Sequence, residues 1–273
     1  MSVDLHIHTT ATPHHASWTP AALAAAAAQR GLTAIAAADH NTTASVAALR
    51  EAARPYGLHV ISGVELDSGF NGKLWHTLVY GADPAAPALV ALCDEVFARN
   101  AEDAQRLIKT LPNEGFWLPD FAPLGRQPNV AEVATALAQH NPLPGRVDGE
   151  GNEEAGMRFL LTQRPGSYRP LGVDEVIAVA HQLNALAVLA HPGRSKGIYA
   201  IPADEADLAA MVAVGLDGIE VAYPSHTSAQ VAFYADQAER YGLLVSGGSD
   251  SHHPRQPLAA VPRAMVTLLD QLR

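Results

Sequence analysis

Histidine carries the chemistry in this sequence. Thirteen histidines occur in 273 residues, several of them in short phrases shared with carboxylates. These are Asp4-Leu5-His6-Ile7-His8, Asp39-His40-Asn41-Thr42, Gly63-Val64-Glu65, Ala190-His191-Pro192-Gly193 and Gly248-Ser249-Asp250-Ser251-His252, with His76 standing alone. Residues i and i+2 of a strand face the same side, so His6 and His8 can grip one ion. Charged groups gathered in a protein interior without a cation repel one another and are costly. The set His6, His8, His40, Glu65, His191, Asp250 and His252 therefore points to a metal site. Imidazole mixed with carboxylate suits zinc, manganese or iron better than magnesium or calcium, which prefer oxygen shells. The donors exceed the needs of one ion, which implies a cluster of two or three divalent transition-metal ions. Such clusters acidify a bridging water and clamp the oxygens of an anion, so hydrolysis of a phosphate ester is the natural reaction. His59, His140 and His181 read as ordinary polar residues satisfied by backbone groups.

Residues so distant in the chain need a scaffold that brings strand ends together. Runs at residues 3–8, 33–38, 59–66, 75–80, 185–189, 218–222 and 243–246 read as strands, and Asn71-Gly72 suits a hairpin turn between the third and fourth. Helical stretches at 21–30, 45–56, 85–111, 173–183, 205–214 and 228–241 alternate with them. Thr19-Pro20 opens the first helix and Gly31 closes it. The tail, 258–272, is expected to end in a short helix. Repeated βα units imply a parallel sheet. Seven strands predict a distorted (β/α)7 barrel, and the C-terminal strand ends of such a barrel open on one face, where active sites form. Residues 112–170 break the pattern. They are rich in Pro, Gly and Asn and have helical stretches only at 130–139 and 153–161. This segment reads as an inserted small, mainly helical cap over the active site, with residues 1–111 and 171–273 forming the barrel.

A formal net charge of −10 argues against binding duplex nucleic acid. Cys93 is the single cysteine, which excludes an intrachain disulfide framework and a thiolate-rich metal site. The N-terminus lacks the basic and apolar regions of a signal peptide, and no apolar run is long enough to cross a bilayer. A cytoplasmic protein is expected. No serine stands in a strand–turn–helix elbow, and there is no Gly-x-Gly-x-x-Gly or Walker loop.

Taken in order, the histidine and carboxylate phrases resemble the motifs of the PHP (polymerase and histidinol phosphatase) metallo-phosphoesterase family across essentially the whole chain. The insertion, Gly218-Ile219-Glu220-Val221 and Ser225-His226 are similar to a subgroup that includes a nucleoside 3′,5′-bisphosphate phosphatase and a 5′–3′ exoribonuclease. The resemblance implies three metal sites. The first takes His6, His8, Glu65 and Asp250. The second shares Glu65 and adds His76 and His191. The third takes His40, His252 and a residue of the loop after His8. That loop reads Thr12-Pro13-His14-His15 where many relatives have Ser-Asp-Gly; His14 is favoured as the ligand, with His15 the alternative. Asp39 is expected to orient His40 or the loop rather than to bind metal.

Arg126 and Arg194 match arginine positions of the subgroup, where a guanidinium fork holds phosphate; each could instead be a surface arginine in a local ion pair. Tyr168 and Arg169 are further substrate candidates. His226 is a candidate proton donor or phosphate contact, or else a polar residue at a helix start. Phe116 and Trp117 could stack on a base or anchor the cap. The implied function is metal-dependent hydrolysis of a phosphate ester of a nucleotide or short oligonucleotide by metal-activated hydroxide attack, with Asp250, Glu65 and His226 around the attacking water. The alternatives are a phosphatase for histidinol phosphate or another small phosphomonoester, and a metal-binding regulatory module without turnover.

Overall fold

Short apolar runs bounded by glycine and asparagine become strands, and alanine-rich runs become helices, in the computed structural model, which describes residues 1–12, 16–194 and 202–272. The strands are β1 (Ser2–Ile7), β2 (Leu32–Ala37), β3 (His59–Phe70), β4 (Lys73–Tyr80), β5 (Leu171–Gly172), β6 (Leu186–Leu189), β7 (Gly218–Ala222), β8 (Leu244–Gly247) and β9 (Val261–Pro262). The helices are α1 (Pro20–Gln29), α2 (Val46–Ala53), α3 (Pro87–Thr110), α4 (Val130–His140), α5 (Asn152–Gln163), α6 (Val173–Gln182), α7 (Glu205–Ala213) and α8 (Ser228–Tyr241). Contacts divide the chain into two units. One comprises Met1–Asp94, Leu171–Arg194 and residues 202–272, and the other is described over Glu95–Pro170. None of the described helices is long and apolar enough to cross a membrane.

In the first unit the strand order is β8-β7-β6-β4-β3-β2-β1-β9, with β5 beside β3. The β1–β2–β3 and β6–β7–β8 runs are parallel, but β4 lies antiparallel to both β3 and β6. The sheet is therefore mixed, where repeated βα units had implied a parallel one. The cause is local: Phe70 pairs with Lys73, leaving Asn71 and Gly72 as a two-residue turn with φ of 50° and 76°. A turn with both central residues left-handed returns the chain directly beside β3, with no crossover helix.

The sheet curls until its ends almost meet. Beyond β8, the Asp250 N–H donates to the His6 carbonyl at 2.7 Å and the His8 N–H to the Ser251 carbonyl at 2.9 Å. Gly248 allows this approach, because a Cβ there would stand 2.4 Å from the His6 nitrogen. The result is the distorted α/β barrel expected from the sequence. Val3, Leu5, Ala36, Leu78, Tyr80 and Val188 fill one side of the sheet. On the other side Ile7 and Ile35 pack under Leu23, Ala24 and Ala27 of α1 and Leu49 of α2. Thr19 caps α1 through the Ala22 N–H, and Pro20 occupies the first turn, where its missing donor costs nothing.

The tail differs from expectation. It supplies β9, antiparallel to β1, and then two 3₁₀ turns at Arg263–Met265 and Thr267–Asp270. Val266, at φ −109° and ψ 88°, interrupts the run and prevents a continuous helix.

The second unit is helical. Asn129 and Glu132 form a reciprocal capping box at the start of α4. A Cβ at Gly156 of α5 would lie under 3 Å from the Ala134 backbone, so the glycine lets α5 pack directly on the backbone of α4.

Candidate metal centre

Strand ends of the first unit deliver six histidines and three carboxylates to one place. His6 is the penultimate residue of β1 and His8 follows the strand, both fully buried. Their Nε2 atoms lie 3.2 Å apart, each 3.3 Å from Glu65 Oε2, and His8 Nε2 is 3.0 Å from Asp250 Oδ1. The other Glu65 oxygen meets a second pair: His76 Nδ1 is 2.8 Å and His191 Nε2 3.0 Å from Oε1, and the two nitrogens are 3.2 Å apart. Glu65 thus stands between two donor sets, one oxygen to each. The antiparallel course of β4 brings His76, from its first half, to the mouth where the parallel strands end.

His40 and His252 complete a third group with His8, their rings 4.5 and 4.0 Å from the His8 ring. His14 and His15, expected to contribute here, lie outside the described residues. A fourth group joins His40, Asp67 and His76, with Asp67 Oδ1 3.2 Å from His76 Nε2 and 3.8 Å from His40 Nδ1. Asp67 was overlooked in the sequence, although it stands two residues after Glu65 on the same strand face and was accessible by the rule that pairs His6 with His8.

The geometry suits divalent ions. Glu65 Oε2 is buried and makes no hydrogen bond among the described residues. It faces His6, His8 and His40 nitrogens at 3.2–3.3 Å. Ligand atoms about 2.0–2.1 Å from a tetrahedral ion are separated by about 3.4 Å, close to the spacings found here. Imidazole nitrogens that face one another need a cation or a proton between them.

The electrostatics agree. Burial opposes the charge on His6, but Glu65 and Glu220 outweigh it and hold its pKa well above the ordinary value. Burial is likewise outweighed at His76, by Glu65 and Asp67, and the pKa rises to about 9. Burial would raise Glu65 and Asp250, yet the surrounding histidines keep both well below the usual carboxylate range. His191 and His252 are lowered chiefly by burial, His252 to about 4.

Neighbouring residues fix the imidazoles. Asp39 accepts hydrogen bonds from the Thr9 N–H at 2.5 Å, from Thr9 Oγ1 at 2.8 Å, from Thr12 Oγ1 at 2.7 Å and from Ser45. With its proton committed to Asp39, Thr12 Oγ1 accepts from His8 Nδ1 at 3.2 Å and from the His40 N–H at 3.1 Å. Asp39 therefore holds the loop, which in turn orients both histidines. Tyr223 donates to Asp250 Oδ2 at 3.0 Å. Asn41, His191 and Asp250 all take positive φ, 55°, 27° and 52°. Such conformations are rare for side-chain-bearing residues and gather at functional sites.

The remaining candidates divide. Arg194 stands at the cluster, its Nη1 3.9 Å from Asp250 Oδ2. His226 has both ring nitrogens engaged by backbone: Nδ1 donates to the Val221 carbonyl at 2.9 Å, and Nε2 accepts the Gly193 N–H at 3.0 Å. A ring so held braces the chain after His191 and has no nitrogen left for a leaving group, which corrects the expectation of a proton donor. Arg126, Tyr168 and Arg169 belong to the second unit. Arg126 makes a two-pronged ion pair with Glu132, and Arg169 grips Asp103 at 2.8–2.9 Å. Tyr168 is buried, its hydroxyl 3.5 Å from Asn100 Nδ2. The Phe116 ring packs on Phe159 within that unit, while Trp117 meets His140 edge-on and stays largely exposed.

The PHP domain family matches residues 4–141. The chain is 32% identical over 261 residues to a phosphoribosyl 1,2-cyclic phosphate 1,2-diphosphodiesterase of Eggerthella lenta, covering 92% of this chain and 94% of that one. It is 28% identical over 265 residues to a 3′,5′-nucleoside bisphosphate phosphatase of Chromobacterium violaceum, covering 93% and 88%. A solved structure from Bifidobacterium adolescentis, described as that of a metal-dependent phosphoesterase, superposes with a TM-score of 0.69 at 25% identity, covering 99% of this chain and 94% of that one. With its motifs in order, its donors converged on one barrel mouth and its relatives matched nearly end to end, the chain belongs to the PHP domain family.

Proposed function

We propose that this chain hydrolyses a phosphate ester on a ribose that carries a second phosphate group. It is a metal-dependent phosphoesterase, and one observation carries that reading: Glu65 presents one oxygen to His6, His8 and Asp250's group and the other to His76 and His191. Divalent ions held there supply charge neutralisation for phosphate oxygens and an acidified water. Manganese, zinc and iron fit the mixed donors.

The chain's own residues do the rest. His6, His8, Glu65 and Asp250 form the first metal set, Glu65, His76 and His191 the second, and His40 and His252, with His14, a third. Tyr223 fixes the orientation of Asp250. Arg194 meets the phosphate under attack, where its fixed positive charge offsets charge that builds on the equatorial oxygens. Selectivity for the second phosphate or the nucleoside is assigned to residues 112–170, the expected cap, with Arg126 and Tyr168 as its candidate side chains.

The substrate class has its own support. The two relatives act, by name, on a phosphoribosyl cyclic phosphate and on a nucleoside bisphosphate. Both substrates are phosphorylated riboses with a second phosphate. Histidinol phosphate and p-nitrophenyl phosphate lack that feature.

The test is hydrolysis by Mn²⁺- or Zn²⁺-loaded protein of adenosine 3′,5′-bisphosphate, a phosphoribosyl 1,2-cyclic phosphate, AMP, histidinol phosphate and p-nitrophenyl phosphate, followed by ³¹P NMR. One of the first two should exceed the others at least tenfold in kcat/KM. Equal rates on histidinol phosphate would overturn the ribose assignment, and no turnover of any ester would return the chain to a regulatory role.

A further inference from the structure

We propose that Glu220 is a positioning residue that holds the two metal sets in register from behind. The inference rests on the metal reading above.

β7 reads Gly-Ile-Glu-Val-Ala, and Glu220 is its one charged residue, fully buried. A carboxylate in the middle of an apolar strand needs strong compensation. Among the described residues its ion-pair partner is His6, whose Nδ1 lies 3.2 Å from Oε1 and 3.3 Å from Oε2. Oε2 also accepts the His191 backbone N–H at 2.8 Å. His6 belongs to the set with His8 and Asp250, and His191 to the set with His76. One carboxylate thus touches both sets on the side away from their converging donors.

The consequence for His6 is chemical. With an ion bound, the Glu220 oxygens would accept the His6 Nδ1–H, and Nε2, which faces Glu65 and Asp250, is the nitrogen left for the ion. The consequence for His191 is conformational. Its backbone sits at φ 27°, and the bond from its N–H to Glu220 helps to keep that turn, which aims Nε2 at Glu65 Oε1.

Glutamine at this position has the same shape and the wrong chemistry. Its amide offers one acceptor oxygen and one donor NH₂. If the oxygen keeps the His191 N–H, the NH₂ takes the place of Oε1 3.2 Å from His6 Nδ1, a donor against a donor that moving the hydrogen to Nε2, the metal-binding nitrogen, relieves. If the amide turns over, two donors oppose each other at His191. Either orientation sets a donor against a donor at one of the two sets and weakens it.

The experiment compares Zn²⁺ binding to metal-free wild-type protein, Glu220→Gln and Glu220→Asp by chelator competition, with the visible spectrum of the Co²⁺-loaded forms and the His6 Nδ1–H signal of the Zn²⁺-loaded forms by NMR. Circular dichroism checks folding. Glu220→Gln is expected to fold, to bind Zn²⁺ about 10- to 100-fold more weakly, to show an altered Co²⁺ spectrum and to lose the Nδ1–H signal. A purely structural role would lower the melting temperature and leave the tautomer alone. Affinity within threefold of wild type, with the Nδ1–H signal intact, overturns the proposal. If Glu220→Gln does not fold, Glu220→Asp decides: charge kept with shorter reach should weaken binding while the Nδ1–H remains, and wild-type affinity overturns it. Wild-type protein that binds no Zn²⁺ would overturn the metal reading itself, a result distinct from normal binding by both variants.

Discussion

The two units treat charge in opposite ways. In the first, six histidines and three carboxylates crowd together with imidazole nitrogens facing one another around the buried Glu65 carboxylate. In the second, charge is matched in pairs: Arg126 with Glu132, Arg164 with Glu114, Arg169 with Asp103. Unmatched buried polar groups are expensive, so a fold that retains them has a partner in mind. Matched pairs near the surface contribute little and demand no ligand. The difference separates a cluster that demands a cation from arginines whose charge is already opposed by a carboxylate.

The sharpest way to break this contrast is Glu65→Gln. It removes the charge both donor sets share, and a neutral amide cannot offer a lone pair from each end. Metal content should fall by at least one ion per chain, and kcat/KM by about 10³-fold. Elemental analysis showing full metal content in the variant would break the contrast at its root, because the Glu65 carboxylate would then have no bearing on the ions.

Much of this site was legible in the chain, for an identifiable reason. In a barrel all parallel strands end at one mouth, so the phrases around His6, Asp39-His40 and His191 could be placed together without knowledge of pairing. Asp67 obeys the same i, i+2 rule on β3, but no histidine stands beside it in the chain to mark it. The turn at Asn71-Gly72 was legible too, but not its consequence for the sheet, since the pairing of β4 with β6 joins segments more than a hundred residues apart. His226 misled for a similar reason: the groups that engage its ring, Gly193 and Val221, are not its helical neighbours. Even Arg126 was half readable. Asn129 and Glu132 have the spacing of a capping box, yet nothing in that spacing says that Glu132 also receives a guanidinium.

Arg194 tests the contrast from the cationic side. It is the arginine that stands next to Asp250, and its charge faces the cluster. Arg194→Ala should lower kcat/KM by about 10- to 100-fold, the loss expected for a charge-assisted contact of about 1.5–3 kcal/mol, with metal content unchanged. Lost metal would instead show that Arg194 supports Asp250 rather than the phosphate.

The raised pKa of His76, about 9, gives a pH effect of known sign. The metal-free protein keeps a proton there below that pH, and an imidazole must shed it to bind an ion. Apparent Zn²⁺ affinity should therefore fall at least tenfold for each pH unit below about 9, more where His6 and His8, also raised, give up protons as well, in chelator-buffered titrations between pH 6.5 and 9. Stability of the metal-free form runs the other way. A histidine whose pKa is raised on folding contributes fully below its unfolded pKa, about 6.5, and loses that contribution as pH climbs through about 9. Its melting temperature should decline over that window. An affinity flat in pH would mean the cluster holds no proton for the metal to displace.

The smallest effect belongs to Arg126, where the two units are set directly against each other. Its guanidinium is about a third exposed and bound through both terminal nitrogens to Glu132. That pairing has two consequences for a phosphate contact. It fixes the fork in one orientation, which favours binding, and it cancels most of the charge, which does not. The second should dominate, because a long-range anion sees the sum of the pair. Arg126→Ala should thus cost a 3′,5′-bisphosphate about three- to tenfold in kcat/KM, less than a lone guanidinium contact would, and cost p-nitrophenyl phosphate nothing. Glu132→Gln sharpens the point: it frees the charge while keeping the shape and the cap, so it should raise kcat/KM for the bisphosphate if Arg126 meets the second phosphate. Steady-state kinetics of both variants on both substrates read the answer. No change from either variant would leave the second unit a satisfied scaffold, and equal losses on both substrates would move Arg126 to the phosphate under attack.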